Sequence, residues 1–194
     1  MTSRPDEMAA HPTTGLLGAV LVGGLSRRMG RDKALIEIDA VSMARRVANA
    51  MTGAGIRRTV AIGPARLAAG LDVVDDRHPG EGPLGAILTA LDAAAGHATL
   101  VAACDLPWLD SASLRALIDA SAQNDTAHVF VGHTDRIEPL CALWRPAGRG
   151  RLESAFAAGE RAVHRAMADL AVIEVPMRRG ALINVNTPDD LRIE

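Results

Sequence analysis

Tyrosine is absent from this sequence, phenylalanine and tryptophan occur twice each, and aromatics make up only 2% of the chain. A core with so few rings must be packed from Ala, Val, Leu and Ile, and a surface on which nucleic-acid bases stack, which needs several aromatics, is argued against. Neither sign of charge predominates: 21 Lys and Arg against 23 Asp and Glu leave a formal net charge of −2 with no long basic stripe, so no polyanionic partner is expected. Cysteine is confined to Cys104 and Cys141, far apart and without a nearby Cys/His pattern, which speaks against a zinc site or a disulfide framework. The apolar run LLGAVLV, Leu16 to Val22, is too short to span a bilayer, and no small-residue cleavage site follows it before Arg27-Arg28. A cytoplasmic protein without a membrane partner is expected. Internal repeats, low-complexity tracts and linkers are also missing; only residues 1–14, polar and carrying Pro5 and Pro12, read as a mobile tail outside a single domain at 15–194.

What is present suits an ordinary globular domain: 194 residues, 48% hydrophobic and 23% charged. From Leu16 the chain alternates short apolar runs with longer Ala-rich amphipathic stretches. Strands are expected at Leu16 to Val22, Thr59 to Gly63, Leu71 to Asp76, Ala98 to Asp105, Ala127 to Val131 and Pro139 to Arg145. Helices are expected at Ser42 to Met51, Leu84 to Ala95, Ser111 to Ala122 with Ser111 as N-cap, over RGRLESAFAAG, and over AVHRAMADL. INVNTPDDL reads as a short strand, a turn and a terminal helix with Thr187 as N-cap and Pro188 at the first helical position. Strands apolar on both faces, alternating with helices, imply a three-layer α/β/α fold with a mostly parallel, Rossmann-like central sheet. Ligands of such sheets bind beyond the carboxyl ends of the strands.

At the first strand's carboxyl end lies LVGGLSRRMGRDKAL, Leu21 to Leu35. A P-loop needs Gly-Lys-Ser/Thr four residues after its first Gly, and Gly30 is followed by Arg31-Asp32-Lys33-Ala34, so that template fails. The dinucleotide fingerprint G-x-G-x-x-G fails too, because Gly23 and Gly24 are adjacent and Gly30 is distant. What remains is a longer turn where Gly23 and Gly24 let backbone approach a ligand, with Arg27, Arg28 and Lys33 supplying full charges where a triphosphate would lie. Asp32 reads as a brace for the loop's arginines. A glycine pair after a strand is a common turn device, and clustered Arg and Lys are usually solvated surface. The balance shifts because two further features belong to the same sheet edge. In CDLPWL, Asp105 ends an apolar strand that Pro107 cannot continue, which aims a carboxylate out of the sheet where a phosphate-bound Mg²⁺ would want one. In EGPLGA, Gly82, Pro83 and Leu84 precede a helix and could present backbone to the edge of a base.

Taken in order, LVGGLSRRMGRDK, GPLGA, CDLPWL and NVNTPDDL resemble the nucleotidyltransferases of glycosyltransferase-A-like fold, and most of all the molybdenum cofactor guanylyltransferases, whose patterns read L-A-G-G-x-S/A-x-R-M-G-x-D-K, G-P-L-x-G/A, C-D-x-P-[FYW]-[LI] and N-x-N-T-P-[ED]-[ED]-L. The resemblance implies a sheet of the nucleotide-diphospho-sugar transferase type. It further implies that Leu21, Val22, Gly23 and Gly24 hold guanine and ribose, with Gly82, Pro83 and Leu84 reading the base. Arg28 and Lys33 would bind the triphosphate of GTP, Asp105 would ligate Mg²⁺, and Asp76 matches an Asp near guanine or ribose. Asn184 and Asn186 would line the molybdopterin side, where Arg161 would help hold the acidic pterin. Molybdoenzyme chaperones or cofactor-insertion proteins would receive the product. Two departures stand out: Val22 replaces the usual Ala, and a Gly is usual at or near Ala40.

The implied reaction is attack by the terminal phosphate of molybdopterin on the α-phosphorus of GTP, with Lys33, Arg28 and Mg²⁺ neutralising charge. A phosphate nucleophile needs no strong base, so the lack of a Ser-His-Asp or Cys-His constellation is no obstacle, and Cys104 reads as a small buried hydrophobe. Use of CTP or another phosphorylated acceptor remains open. Sugar nucleotidyltransferases, however, continue the loop with Lys-Pro where this chain has Lys33-Ala34. A non-catalytic pterin carrier of the same fold is the third possibility, against which Lys33 and Asp105 both speak.

Overall fold

The computed structural model describes residues 13, 15–23, 32–187 and 190. Apolar runs without polar alternation form the strands β1 (Leu17–Leu21), β4 (Arg58–Ile62) and β6 (Thr99–Ala103), and β1 and β6 are buried along their whole length. Edge strand β5 (Asp72–Val74) pairs with β4, while β7 (Val129–His133), β8 (Ile137–Trp144) and β9 (Val172–Pro176) extend the other side. The resulting sheet has seven strands in the order β5-β4-β1-β6-β8-β7-β9. Only β8 runs against its neighbours, β6 and β7, while the β5-β4-β1-β6 half is parallel throughout.

Alternate residues of each strand feed cores on opposite faces. Val20 and Leu100 point toward α1 (Met43–Gly53) and α3 (Ser111–Gln123), whose Val47, Met51, Leu114 and Leu117 close one core. Leu21 and Val101 point toward α2 (Pro83–Ala93), α4 (Arg149–Ala157) and α5 (Val163–Ala166), where Ile87, Leu91, Leu152 and Val163 close the other. The three-layer α/β/α arrangement expected of the sequence is therefore present. Among the described residues, no helix is long and apolar enough to cross a membrane.

Several local expectations change. The N-cap of α3 is Asp110, whose carboxylate accepts the N–H of Ser113 at 2.8 Å; Ser111 is the first helical residue. Helix α2 starts one residue early because Pro83 occupies its first turn, where a missing N–H costs nothing. AVHRAMADL is helical only over Val163–Ala166, and the chain then turns into β9, a strand the sequence reading missed because its exposed Val172 and Glu174 mark an edge instead of a buried run. No strand forms at residues 183–186, and the expected terminal helix falls largely outside the described residues.

A two-stranded hairpin of β2 (Glu37–Ile38) and β3 (Val41–Ser42) was also missed. Its turn residues Asp39 and Ala40 both have positive φ, 53° and 60°, the geometry that two-residue hairpins favour and that Gly accommodates most easily. The chain thus holds an alanine at a turn position that glycine would occupy with less strain, with Arg46 pairing to Asp39 and donating to the carbonyl of Ile38.

Candidate active site

A cavity of about 440 Å³ opens at the carboxyl ends of the parallel half of the sheet. Leu21, Val22 and Gly23 enter it where β1 ends, and Val22 holds its place by donating its N–H to the carbonyl of Ile62 on β4 at 3.1 Å. The larger side chain of Val22 fits because its neighbour is Gly63: a Cβ there would stand 3.1 Å from Val22 Cγ2 and from Gly23 N. Val22 is 3% exposed, so its methyls fill the strand end and narrow the cavity floor only slightly.

Lys33 begins a short 3-10 turn, Lys33–Leu35, that returns the chain to the cavity. Its ammonium donates to Asn186 Oδ1 at 2.5 Å and lies 3.4 Å from Oδ2 of Asp105. In the irregular segment 184–186, Val185 is buried and its N–H donates to the carbonyl of Asp105 at 2.9 Å. Asn186 meets Lys33, and Asn184 donates to Oε2 of Glu138 at 3.0 Å. Asp190 fixes this segment by accepting the N–H groups of Asn186 and Thr187, each at 2.8 Å. Asp190 falls within NVNTPDDL but was given no role from sequence, and Glu138 was not singled out, since a lone carboxylate in a strand carries no spacing signal. Asp32 also lines the cavity and pairs with Arg66, from the 3-10 turn Ala65–Leu67 after β4.

Asp105 stands two residues past β6, as the sequence reading expects of a strand-ending carboxylate. Burial raises its pKa above the usual carboxylate range, and the nearby Lys33 charge and hydrogen bond only partly reverse this. Its Oδ1 is buried and has no hydrogen-bond partner among the described residues. A cation would satisfy that oxygen. No group of three or more His, Cys, Asp and Glu side chains is placed to bind a metal among the described residues. A metal held by Asp105 would thus complete its coordination with ligand phosphates and water, the mode that Mg²⁺ favours. Cys104 beside it is buried, and desolvation, then the Asp105 charge, push its thiol up to about 12, which keeps it a packing residue and not a nucleophile.

The facing wall comes from the segment between β5 and α2. Asp76 and Gly82 with Pro83 line the cavity. Gly82 has φ 83° and, with Pro83, is exposed at the start of α2, which has no side-chain cap. Leu84, expected at the base, is wholly buried in the core and does not line the cavity. Arg161 is placed behind this wall: it pairs with Glu81, donates to the carbonyl of Phe156 at 2.8 Å and stacks 4.0 Å over the Phe156 ring. The structure therefore ties Arg161 to the loop before α2 instead of to Asn184 and Asn186. Gly24 and Arg28, expected at the nucleotide and the triphosphate, lie outside the described residues.

Comparison with known proteins agrees with this geometry. The family model of the MobA-like NTP transferase domain matches residues 18–172. A molybdenum cofactor guanylyltransferase from Rhodobacter capsulatus is 34% identical over 186 residues, covering 91% of this chain and 93% of its own length. A probable molybdenum cofactor guanylyltransferase from Pelotomaculum thermopropionicum is 33% identical over 192 residues, covering 90% and 89%. Among solved structures, the molybdopterin-guanine dinucleotide biosynthesis protein A of Archaeoglobus fulgidus superposes with a TM-score of 0.75 at 25% identity, covering 91% of this chain and 95% of that one. The profile match spans most of the domain, the relatives align along nearly their full length, and the folds coincide: the chain belongs to the MobA-like NTP transferase family.

Proposed function

We propose that this protein transfers GMP from GTP to the terminal phosphate of molybdopterin, forming molybdopterin guanine dinucleotide and releasing pyrophosphate. The observation that carries the reading is the meeting of Lys33, Asp105 and Asn186 on one side of a cavity whose other side holds Asp76 and the uncapped start of α2. One wall is charged and suits phosphates; the other offers a carboxylate and the exposed backbone of Gly82 and suits a nucleoside.

In the reaction, a terminal phosphate oxygen of molybdopterin forms a bond to the α-phosphorus of GTP as the bond from that phosphorus to the β-bridging oxygen breaks. The electron pair leaves with pyrophosphate, and no proton must be taken up by the protein. Lys33 swings from Asp105 and Asn186 to the triphosphate, where its charge opposes the charge that builds on the leaving group. Arg28 in the glycine loop supplies a second cation. Gly23 and Gly24 hold the nucleoside, together with Gly82 and Pro83. Asn184 and Asn186 orient the acceptor, and Arg161, paired with Glu81, fixes the loop that forms the nucleoside wall. A Mg²⁺ ion held by Asp105 would neutralise phosphate charge and align the triphosphate. The protein acts in the cytoplasm as a single domain, and molybdoenzyme chaperones or insertion proteins take the product.

Supplying molybdopterin with either GTP or CTP and identifying the dinucleotide formed tests the assignment. GTP is expected to be used in preference; equal or preferential use of CTP would overturn the base assignment, and turnover of a sugar phosphate instead of molybdopterin would overturn the acceptor.

A further inference from the structure

Thr89 is 1% exposed within α2 and lines no part of the cavity. A threonine hydroxyl in a helix ordinarily donates to the carbonyl four residues earlier, and Thr89 Oγ1 does lie 3.1 Å from the carbonyl of Gly85. It lies equally near, 3.1 Å, to Oδ1 of Asp76, and it accepts the N–H of Arg77 at 3.1 Å. One hydroxyl proton cannot serve two acceptors, and a carboxylate is the stronger of these. The N–H of His78 donates to the same Oδ1 at 2.9 Å. Both protein donors therefore fall on Oδ1, and among the described residues none donates to Oδ2, which leaves Oδ2 for a ligand of the cavity that Asp76 lines.

The packing around this network is built for closeness. A Cβ at Gly85 would stand 2.6 Å from Cβ of His78, so the loop carrying Asp76 can close on α2 only because position 85 has no side chain. That explains a glycine inside a helix, where it costs about 0.5–1 kcal/mol relative to alanine.

We infer that Thr89 is a positioning residue for nucleotide selection: from inside α2 it locks the Asp76 carboxylate so that Oδ2 accepts one donor of the bound nucleoside, either the N–H edge of guanine or a ribose hydroxyl. The inference rests on the guanylyl reading. Thr89 touches no substrate, so its effect must be read through Asp76.

The test compares wild type, Thr89→Val and Thr89→Ser for calorimetric binding of GTP, ITP and 2′-deoxy-GTP, and for kcat and KM with GTP and molybdopterin. ITP lacks the guanine amino group and 2′-deoxy-GTP lacks the ribose hydroxyl, so the pair reports which donor Oδ2 takes. Thr89→Val is expected to weaken GTP binding about tenfold, the scale of one hydrogen bond to a charged group. It should leave kcat unchanged and remove the preference for GTP over one of the two analogues; Thr89→Ser should restore both. Adding Thr89→Val to Asp76→Asn should cause no further loss of GTP affinity. Equal weakening of all three nucleotides, which a packing role alone would give, overturns the inference, as does unchanged GTP affinity or an additive double variant. Should Thr89→Val not fold, Thr89→Ala carries the same expectations. Failure of the wild-type protein to bind GTP would overturn the guanylyl reading along with the inference, whereas retained GTP preference in Thr89→Val overturns the inference alone.

Discussion

Two aspartates occupy equivalent places at the sheet edge, and their surroundings differ. Asp76 stands two residues past β5 and Asp105 two residues past β6. One oxygen of Asp76 is met by two neutral donors, the N–H of His78 and the hydroxyl of Thr89. Asp105 has a buried oxygen with no partner among the described residues, an ammonium at 3.4 Å from the other, and a pKa raised by burial. The first is a held acceptor suited to hydrogen-bonding a nucleoside. The second is an under-compensated charge suited to a cation. The same residue type at the same position of two strands is thus suited to binding on one wall and, in the reaction proposed above, to chemistry on the other.

Substitutions should separate the two. Lys33→Ala and Asp105→Ala are each expected to lower kcat by about 10²-fold or more, the scale on which a preorganised charge stabiliser acts. Asp76→Asn should instead raise the KM for GTP about tenfold and spare kcat, because it removes an interaction made equally in ground and transition states. If both aspartates lost kcat alike, the division of labour would be wrong.

Gly85→Ala should disturb only the Asp76 wall. The new methyl meets His78, and overpacking of this kind costs about 1–3 kcal/mol, read as a lower Tm and a higher KM for GTP with kcat retained.

Acidity should act on the Asp105 wall. Because burial raises the Asp105 pKa, its proton is retained to higher pH than an ordinary carboxylate would retain it. Protons should therefore compete with Mg²⁺ for this carboxylate, so that the Mg²⁺ concentration giving half-maximal turnover rises as pH falls, and Asp105→Asn should lower kcat about 10²-fold or more. A raised folded pKa also means that ionising Asp105 destabilises the fold as pH rises through that pKa. Thermal melts near neutral pH should accordingly show Asp105→Asn no less stable than wild type.

Ala40→Gly touches neither wall and has the smallest effect. Relieving the positive φ of 60° should raise stability by about 1 kcal/mol, seen as a higher Tm with unchanged kcat and KM.

Much of this was legible in the residues. Asp105 was marked by its position between an apolar run and Pro107, and Lys33 by the failure of two better-known loop templates around it. The strand and helix order followed from runs without alternation and from amphipathic stretches between them. Other features carried no such mark. The direction of β8 cannot be read from its apolar content, since a strand buried on both faces looks alike in either direction, and its Pro139 is admitted only by the irregular register opposite Val131 and Gly132. Thr89 is one threonine in an Ala-rich helix, and its meeting with Asp76 depends on how tightly the β5–α2 loop closes over Gly85. Arg161 was assigned to the acceptor side by resemblance, yet its partners, Glu81 and Phe156, come from folding α4 beside that loop.

The central claim, that Asp105 and its cavity perform nucleotidyl transfer, is tested most directly by pyrophosphate release from GTP and molybdopterin in the presence of Mg²⁺, wild type against Asp105→Ala. The account predicts release by the wild-type protein that depends on both substrates and falls about 10²-fold or more in the variant. Equal rates in the two proteins would contradict it.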